Sequence, residues 1–396
     1  MPNKKIIFII VVIVLAFGQI VSDLYLPSLP SIAASFHSSA SAAQFSLSIY
    51  MVGFTLSQVI YGPVSDGIGR RRPLLIGLCL CLAGSIVCFL AQYIEAIIIG
   101  RFIQGLGAGA TLTLSSAILR DIFEREELAK YSSYSALIGV GLLATAPLLG
   151  GYLEQYFGWR SNFLFLTVYA LVAFFVFLLV VPETNTHKHP ENLRISVIKI
   201  NIRTLLTSPI FIGYCLCSLL VYGAILAWLT AGPIVLQTGV GLSPVAFGWS
   251  YFLTGVAFAI GALVNSKFVF RYGIQTMLRV GLLCVLASGL VMAGLKLMGY
   301  INGFVIIAPV IMLLFGASLV FPNTSAGVFQ PFPRIAGIAS ALFYSARMLG
   351  GAVFSGILAF LPTHNQLPMA LAFITSALLA LLVFYFTLRP QEQPQI

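Results

Sequence analysis

Two charges set inside apolar runs are the residues best placed to do chemistry in this chain. Asp23 lies in Gln19-Ile20-Val21-Ser22-Asp23-Leu24-Tyr25-Leu26-Pro27, and Arg101 opens Arg101-Phe102-Ile103-Gln104-Gly105-Leu106-Gly107. A carboxylate inside a membrane span costs roughly 2.5 to 3.5 kcal/mol on insertion scales, so it is a functional candidate before it is a structural one. The chemistry open to it is proton uptake and release. Burial favours the neutral acid and a nearby guanidinium favours the carboxylate, so the two influences oppose. Arg101 keeps its proton and serves as the counterweight. At 1.5 Å per residue, Asp23 sits ~25 Å from the inner edge of its span and Arg101 ~7 Å from the outer edge of its own. The two share a depth and can pair if their helices are neighbours. A static ion pair and an acid that merely lines the outer vestibule are the plainer readings. Gln19 and Gln104 each lie one turn from these charges, on the same helix faces, where they bind substrate or glue helices together. A third charge in an apolar run, Arg347, has no such neighbour.

These residues need elements that hold them in a bilayer, and the composition supplies them. Of 396 residues 59% are hydrophobic and 8% charged, with a mean hydropathy of +1.02, which excludes an ordinary soluble domain. Apolar runs of about 20 residues fit spanning helices, whereas barrel strands would alternate in polarity over about 10. Twelve spans are predicted near 6–28, 43–64, 73–92, 97–118, 132–154, 161–181, 209–236, 243–265, 274–297, 301–322, 335–360 and 367–388. By these bounds Asp23 is the only acid in the interior of a span. The fold class is an all-α membrane protein.

The longest polar stretch, after residue 181, divides the chain into a six-helix bundle over 1–181, a linker over 182–208 and a second bundle over 209–396. Residues 193–206 read as an amphipathic surface helix or, equally, as an alternating strand. His187 and His189 in the linker form a chance His-x-His in a solvated segment rather than a metal site. If the first span runs outward, the termini and the loops on their side hold 17 of the 21 Lys and Arg residues, against Arg160 and Lys296 opposite. Both termini are therefore expected in the cytoplasm. The net charge of +10 is scattered over these loops and does not form a nucleic-acid face. All six cysteines lie in apolar runs, and the four histidines sit in loops without the partners an enzyme needs.

The loop Gly62-x-x-x-Asp66-x-x-Gly69-Arg70-Arg71-Arg72 has a weak echo at Asn265 to Gly273, and Gly350-Gly351 echoes Pro147-x-x-Gly150-Gly151, as a duplicated bundle would. Asn265 stands where Asp66 would be repeated. A carboxylate near a helix N-terminus gains from the dipole, so Asp66 is expected to latch onto the helix that begins near Arg334. Gly139, Gly141, Pro147, Gly150 and Gly151 thin the fifth span for close packing or bending. The Gly62 to Arg72 loop resembles the cytoplasmic loop of the major facilitator superfamily. With Arg101-x-x-Gln104-Gly105-x-Gly107, the Gly139 to Gly151 pattern and the first-span motif, the chain is most similar to twelve-helix drug:proton antiporters of the Bcr/CflA subgroup.

That resemblance implies two pseudo-symmetric six-helix bundles in the bacterial inner membrane, working as a monomer by alternating access. It implies export of drug-like or amphipathic small molecules against protons, no cofactor, and the proton gradient as energy source. Gly62, Asp66, Gly69 and Arg70, with the fifth-span Gly and Pro residues, are the expected conformational switch. Expected substrate contacts are Gln19, Tyr25, Tyr50, Phe54, Gln104, Tyr222, Trp228, Tyr251 and Arg347, with Asp23 and Arg101 coupling protons. An exporter of an anionic metabolite such as a siderophore is the second transport reading; a membrane enzyme or a transport-dead receptor are the readings from other classes.

Overall fold

The computed structural model describes residues 4–123, 125–185, 195–332, 335–361 and 365–388, and among these there is no strand. Helices follow in the order α1 (Lys4–Asp23), α2 (Leu29–Ser35), α3 (Ala40–Ile68), α4 (Arg71–Phe89), α5 (Ile94–Ile122), α6 (Arg125–Phe157), α7 (Arg160–Val180), α8 (Ile195–Leu206), α9 (Pro209–Ile234), α10 (Pro244–Leu297), α11 (Gly303–Phe329), α12 (Ala336–Phe360) and α13 (Leu367–Val383). Ten segments are long and apolar enough to cross a membrane. One of them is the 54-residue α10, which breaks at Gly273 (φ 77°) and so carries two of the expected spans. The expected fifth span is α6. Every predicted span thus coincides with helix. The segment read as helix or strand is the helix α8; His187, His189 and Arg334 lie outside the described residues.

The first span departs from expectation at the residue that matters most. It was read as running through 28, but its α-helix ends at Asp23, and a 3-10 turn over Leu26–Ser28 leads into α2. Pro27 and Pro30 explain the break, since neither supplies the N–H an uninterrupted helix would use there.

Contacts divide the chain into two units, one of Met1–Ile195 with Gly241–Phe252, the other of Ser196–Val240 with Leu253–Ile396. In the first unit α5 packs against α1, α3 and α4, α1 also meets α6 and α7, and α4 lies on α7. α1 is apolar from Ile6 to Gly18 and largely buried, as a helix enclosed by others must be. The α3–α5 approach depends on missing side chains: a Cβ on Gly53 would lie 2.6 Å from the Phe102 carbonyl oxygen, and one on Gly105 would strike that of Tyr50. Backbones this close are how membrane helices gain dispersion contact without a hydrophobic drive.

In the second unit α9 is the enclosed helix, packed by α11, α12 and α13. Trp228 is buried on it, and Thr230 meets Ser355 of α12 at 2.7 Å. Asn265, the counterpart of Asp66, accepts a hydrogen bond from Asn323 Nδ2 at 2.6 Å.

Candidate functional site

Arg101 is fully buried in the first unit, about two turns into α5. Its guanidinium carbon lies 4.0 Å from the centre of the Tyr25 ring and 4.1 Å from that of Tyr50, a cation held between two π faces. Nη1 donates to the Val21 carbonyl at 2.9 Å and to Gln104 Oε1 at 2.7 Å. Gln104 Nε2 donates to Ser85 Oγ of α4 at 2.7 Å. Nε and Nη2 of Arg101 have no hydrogen-bond partner.

Asp23 is 2% exposed. Ser22 Oγ donates to its Oδ1 at 2.6 Å, and the Tyr251 hydroxyl, from the first turns of α10, donates to Oδ2 at 2.8 Å. The expected ion pair with Arg101 is not formed: among the described residues the ion pairs are those of Arg70 with Asp66 and with Asp121. The reason is local. Arg101 reaches the backbone two residues before Asp23, at the carbonyl of Val21, while each carboxylate oxygen accepts from a hydroxyl.

Other nominated residues fall into two groups. Tyr25, Tyr50, Phe54 and Trp228 are buried in helix packing, and Gln104 spends both ends of its amide on Arg101 and Ser85. Their side chains are held in the protein interior. Gln19 and Tyr222 keep partial exposure, and Tyr222 lies 6.2 Å from the Phe321 ring. Arg347 belongs to the second unit, where its Nε donates to Ser218 Oγ at 2.7 Å.

The residues of the Gly62 to Arg72 loop come together around an acid that sequence reading left in the linker. Glu183 Oε1 accepts from the Arg70 backbone N–H at 2.8 Å and Oε2 from that of Arg71 at 3.1 Å. Gly69 adopts φ +105°, and any side chain there would collide with the Glu183 carboxylate. Arg70 pairs with Asp66 and lies 3.1 Å from Asp121, and Arg71 donates to the carbonyls of Val181 at 3.0 Å and Leu178 at 2.6 Å. Burial works against the charge on Glu183, but four backbone N–H groups outweigh it and hold the carboxyl below its usual range. Burial likewise opposes the Arg70 charge, and Asp66 and Asp121 outweigh it, raising its proton affinity. Gly62 stands open beside Thr113, whose methyl carbon would be 4.0 Å from an added Cβ.

In α6, Pro147 sits inside an uninterrupted helix. A Cβ on Gly150 would strike the Leu24 carbonyl, one on Gly151 would lie 2.5 Å from that of Pro244, one on Gly139 3.7 Å from Gln19 Nε2, and one on Gly141 would meet nothing. Gly150 therefore lets α6 lie on the break that follows Asp23. Four residues beyond Gly150 comes a second buried carboxylate that sequence reading missed. Glu154, 9% exposed, accepts from Ser28 Oγ, which accepts from Asn162 Nδ2 at 2.7 Å. The span estimate ended at 154, but α6 continues to Phe157.

A transporter rather than an enzyme is what this arrangement of spanning helices and comparison with known proteins define. The family model of the Major Facilitator Superfamily matches residues 8–355, and the chain belongs to that superfamily. It is 28% identical over 365 residues to a bicyclomycin resistance protein homolog of Haemophilus influenzae, covering 92% of this chain and 91% of that one. It is 27% identical to multidrug resistance protein D of Escherichia coli, covering 95% and 94%, and 31% identical to an uncharacterized MFS-type transporter of Bacillus subtilis, covering 93% and 92%. Among solved structures, a D-xylose-proton symporter superposes with a TM-score of 0.75 at 18% identity, covering 95% and 97%. A peptide transporter superposes with a TM-score of 0.78 at 15% identity, covering 97% and 92%; both establish the fold.

Proposed function

We propose that the chain is a drug:proton antiporter of the bacterial inner membrane, exporting drug-like or amphipathic small molecules by alternating access. Both termini are cytoplasmic in this reading, and the functional unit is the monomer. The relatives named for bicyclomycin and multidrug resistance support the substrate class. The observation that carries the coupling is Asp23, a buried intramembrane carboxylate that accepts from two hydroxyls and, among the described residues, forms no ion pair. Such an acid takes up a proton without breaking an ion pair, and the hydroxyls of Ser22 and Tyr251 can turn from donor to acceptor as it does so. Arg101, fixed to the Val21 carbonyl, supplies a permanent positive field that favours the ionised state when the proton leaves. Gln19, Tyr222 and Arg347 are assigned to cargo; Tyr25, Tyr50 and Gln104 position Arg101. The Gly62 to Arg72 loop, with Glu183, is assigned to the conformational switch.

The test is ethidium transport driven by an imposed proton gradient in inside-out vesicles. Asp23→Asn is expected to reduce gradient-dependent transport at least tenfold while leaving dye binding to the purified protein measurable. Wild-type levels of gradient-driven transport in Asp23→Asn would sink the assignment of Asp23.

A further inference from the structure

Arg347 lies in α12 (Ala336–Phe360), one of the segments apolar enough to cross the membrane. It is about 17 Å from one end of that helix and about 20 Å from the other, which puts it far from lipid headgroups. An arginine at such depth is retained for an anion or a pathway, because the charge is costly there. The anion is not one its own unit supplies. From Ser196 to the C-terminus the sequence has nine basic residues and a single acid, Glu392, five positions from the end of the chain. Among the described residues no carboxylate comes within ion-pair distance of Arg347.

The surroundings are polar enough to aim the guanidinium and too weak to neutralise it. Nε donates to Ser218 Oγ of α9 at 2.7 Å. The guanidinium carbon lies 4.3 Å from the Phe321 ring centre, 5.0 Å from Phe343 and 5.3 Å from Tyr344, so aromatic rings surround the charged group. Nη2 is buried with no hydrogen-bond partner. An Arg anchored through Nε with an Nη donor unspent offers N–H groups to a carboxylate, while its aromatic neighbours suit a flat apolar body.

We propose that Arg347 and Ser218 form an anion subsite that binds the carboxylate of aromatic, amphipathic cargo. This deepens the transport reading and rests on it: the exported molecules would include acids or zwitterions as well as cationic dyes. Arg347 then selects among substrates by charge, and cationic cargo binds in spite of it.

Fluorescence anisotropy on the purified full-length protein at pH 7.5 tests this with two probes, fluorescein as the aromatic carboxylate and ethidium as the cation. Arg347→Gln is expected to weaken fluorescein binding at least tenfold and to tighten ethidium binding a few-fold, because a like charge has been removed. Arg347→Lys keeps the charge and loses the planar fork, and should fall between wild type and Arg347→Gln for fluorescein. Ser218→Ala, which frees Nε, should weaken fluorescein a few-fold. If both probes weaken together in Arg347→Gln, the residue is a packing post and the subsite is wrong. If wild type binds ethidium and not fluorescein, the subsite is wrong while the transport reading stands. If wild type neither binds nor transports either probe, the transport reading itself fails and the subsite with it. Should Arg347→Gln not fold, Arg347→Lys and Ser218→Ala decide: unchanged fluorescein binding in both overturns the subsite.

Discussion

At the scale of single residues, the coupling site we propose is a carboxylate and a guanidinium that share a neighbourhood without touching. The separation has a use: each keeps its own partners, so the proton on Asp23 can change without releasing Arg101 from Val21. Tyr251→Phe removes the hydroxyl that donates to Asp23 Oδ2 and keeps the ring. It is expected to favour the protonated acid and move the pH profile of gradient-driven transport upward, read from initial rates between pH 5.5 and 8.5; an unmoved profile would count against Asp23 as the titrating group. Ser28→Ala strips the hydroxyl between Glu154 and Asn162 and should cost about 1 kcal/mol, the scale of polar contacts measured between membrane helices, in a denaturation titration in mild detergent. Asp23 and Arg101 were legible in the sequence because a charge in an apolar run stands out. Their partners were not. Helical rise gives depth along a span, but the direction a side chain takes around the helix depends on which neighbours surround it, so spacing alone left Val21, Tyr251 and Ser28 unseen.

Helices and turns carry the next set of expectations. Gly150 and Gly141 are close in α6 yet face opposite circumstances, a backbone carbonyl in one case and open space in the other. Gly150→Ala should destabilise the protein by about 1 to 3 kcal/mol through overpacking against Leu24. Gly141→Ala should be neutral or stabilise by up to about 1 kcal/mol through helix propensity; equal effects from the two would refute the packing account. The α3–α4 turn depends on Glu183. Because this carboxyl is held below its usual range, its contribution is complete at neutral pH and is lost only as pH falls through the lowered value. Glu183→Gln should weaken the turn by roughly 1 kcal/mol at neutral pH, seen as about fivefold faster hydrogen exchange at the Arg70 and Arg71 amides. All the spans were visible from length and apolarity. The break after Asp23 was visible only as two prolines, and Glu183 was hidden because 113 residues separate it from Arg70.

For the whole molecule, the distribution of charge is the organising fact. Acids are concentrated in the first half and nearly absent from the second, whereas basic residues recur in loops on one side throughout. If that side is cytoplasmic, a protein with its native cysteines replaced should be labelled by a membrane-impermeant thiol reagent at Tyr93→Cys only from outside. Tyr272→Cys, at the break in α10, should be labelled only in inside-out vesicles; the reverse pattern would overturn the orientation. The paired loops in the sequence placed Asn265 opposite Asp66, but that Asn265 accepts from Asn323 needed coordinates. Glu183 also sets a clock. Chains emerge at roughly 5 to 20 residues per second, so the 113 residues between Arg70 and Glu183 leave the arginine turn unlocked for about 6 to 23 seconds of synthesis. During that interval the Arg70 and Arg71 amides have yet to meet the carboxylate that accepts from them in the finished protein, so the turn forms its lock only after the first bundle has left the ribosome.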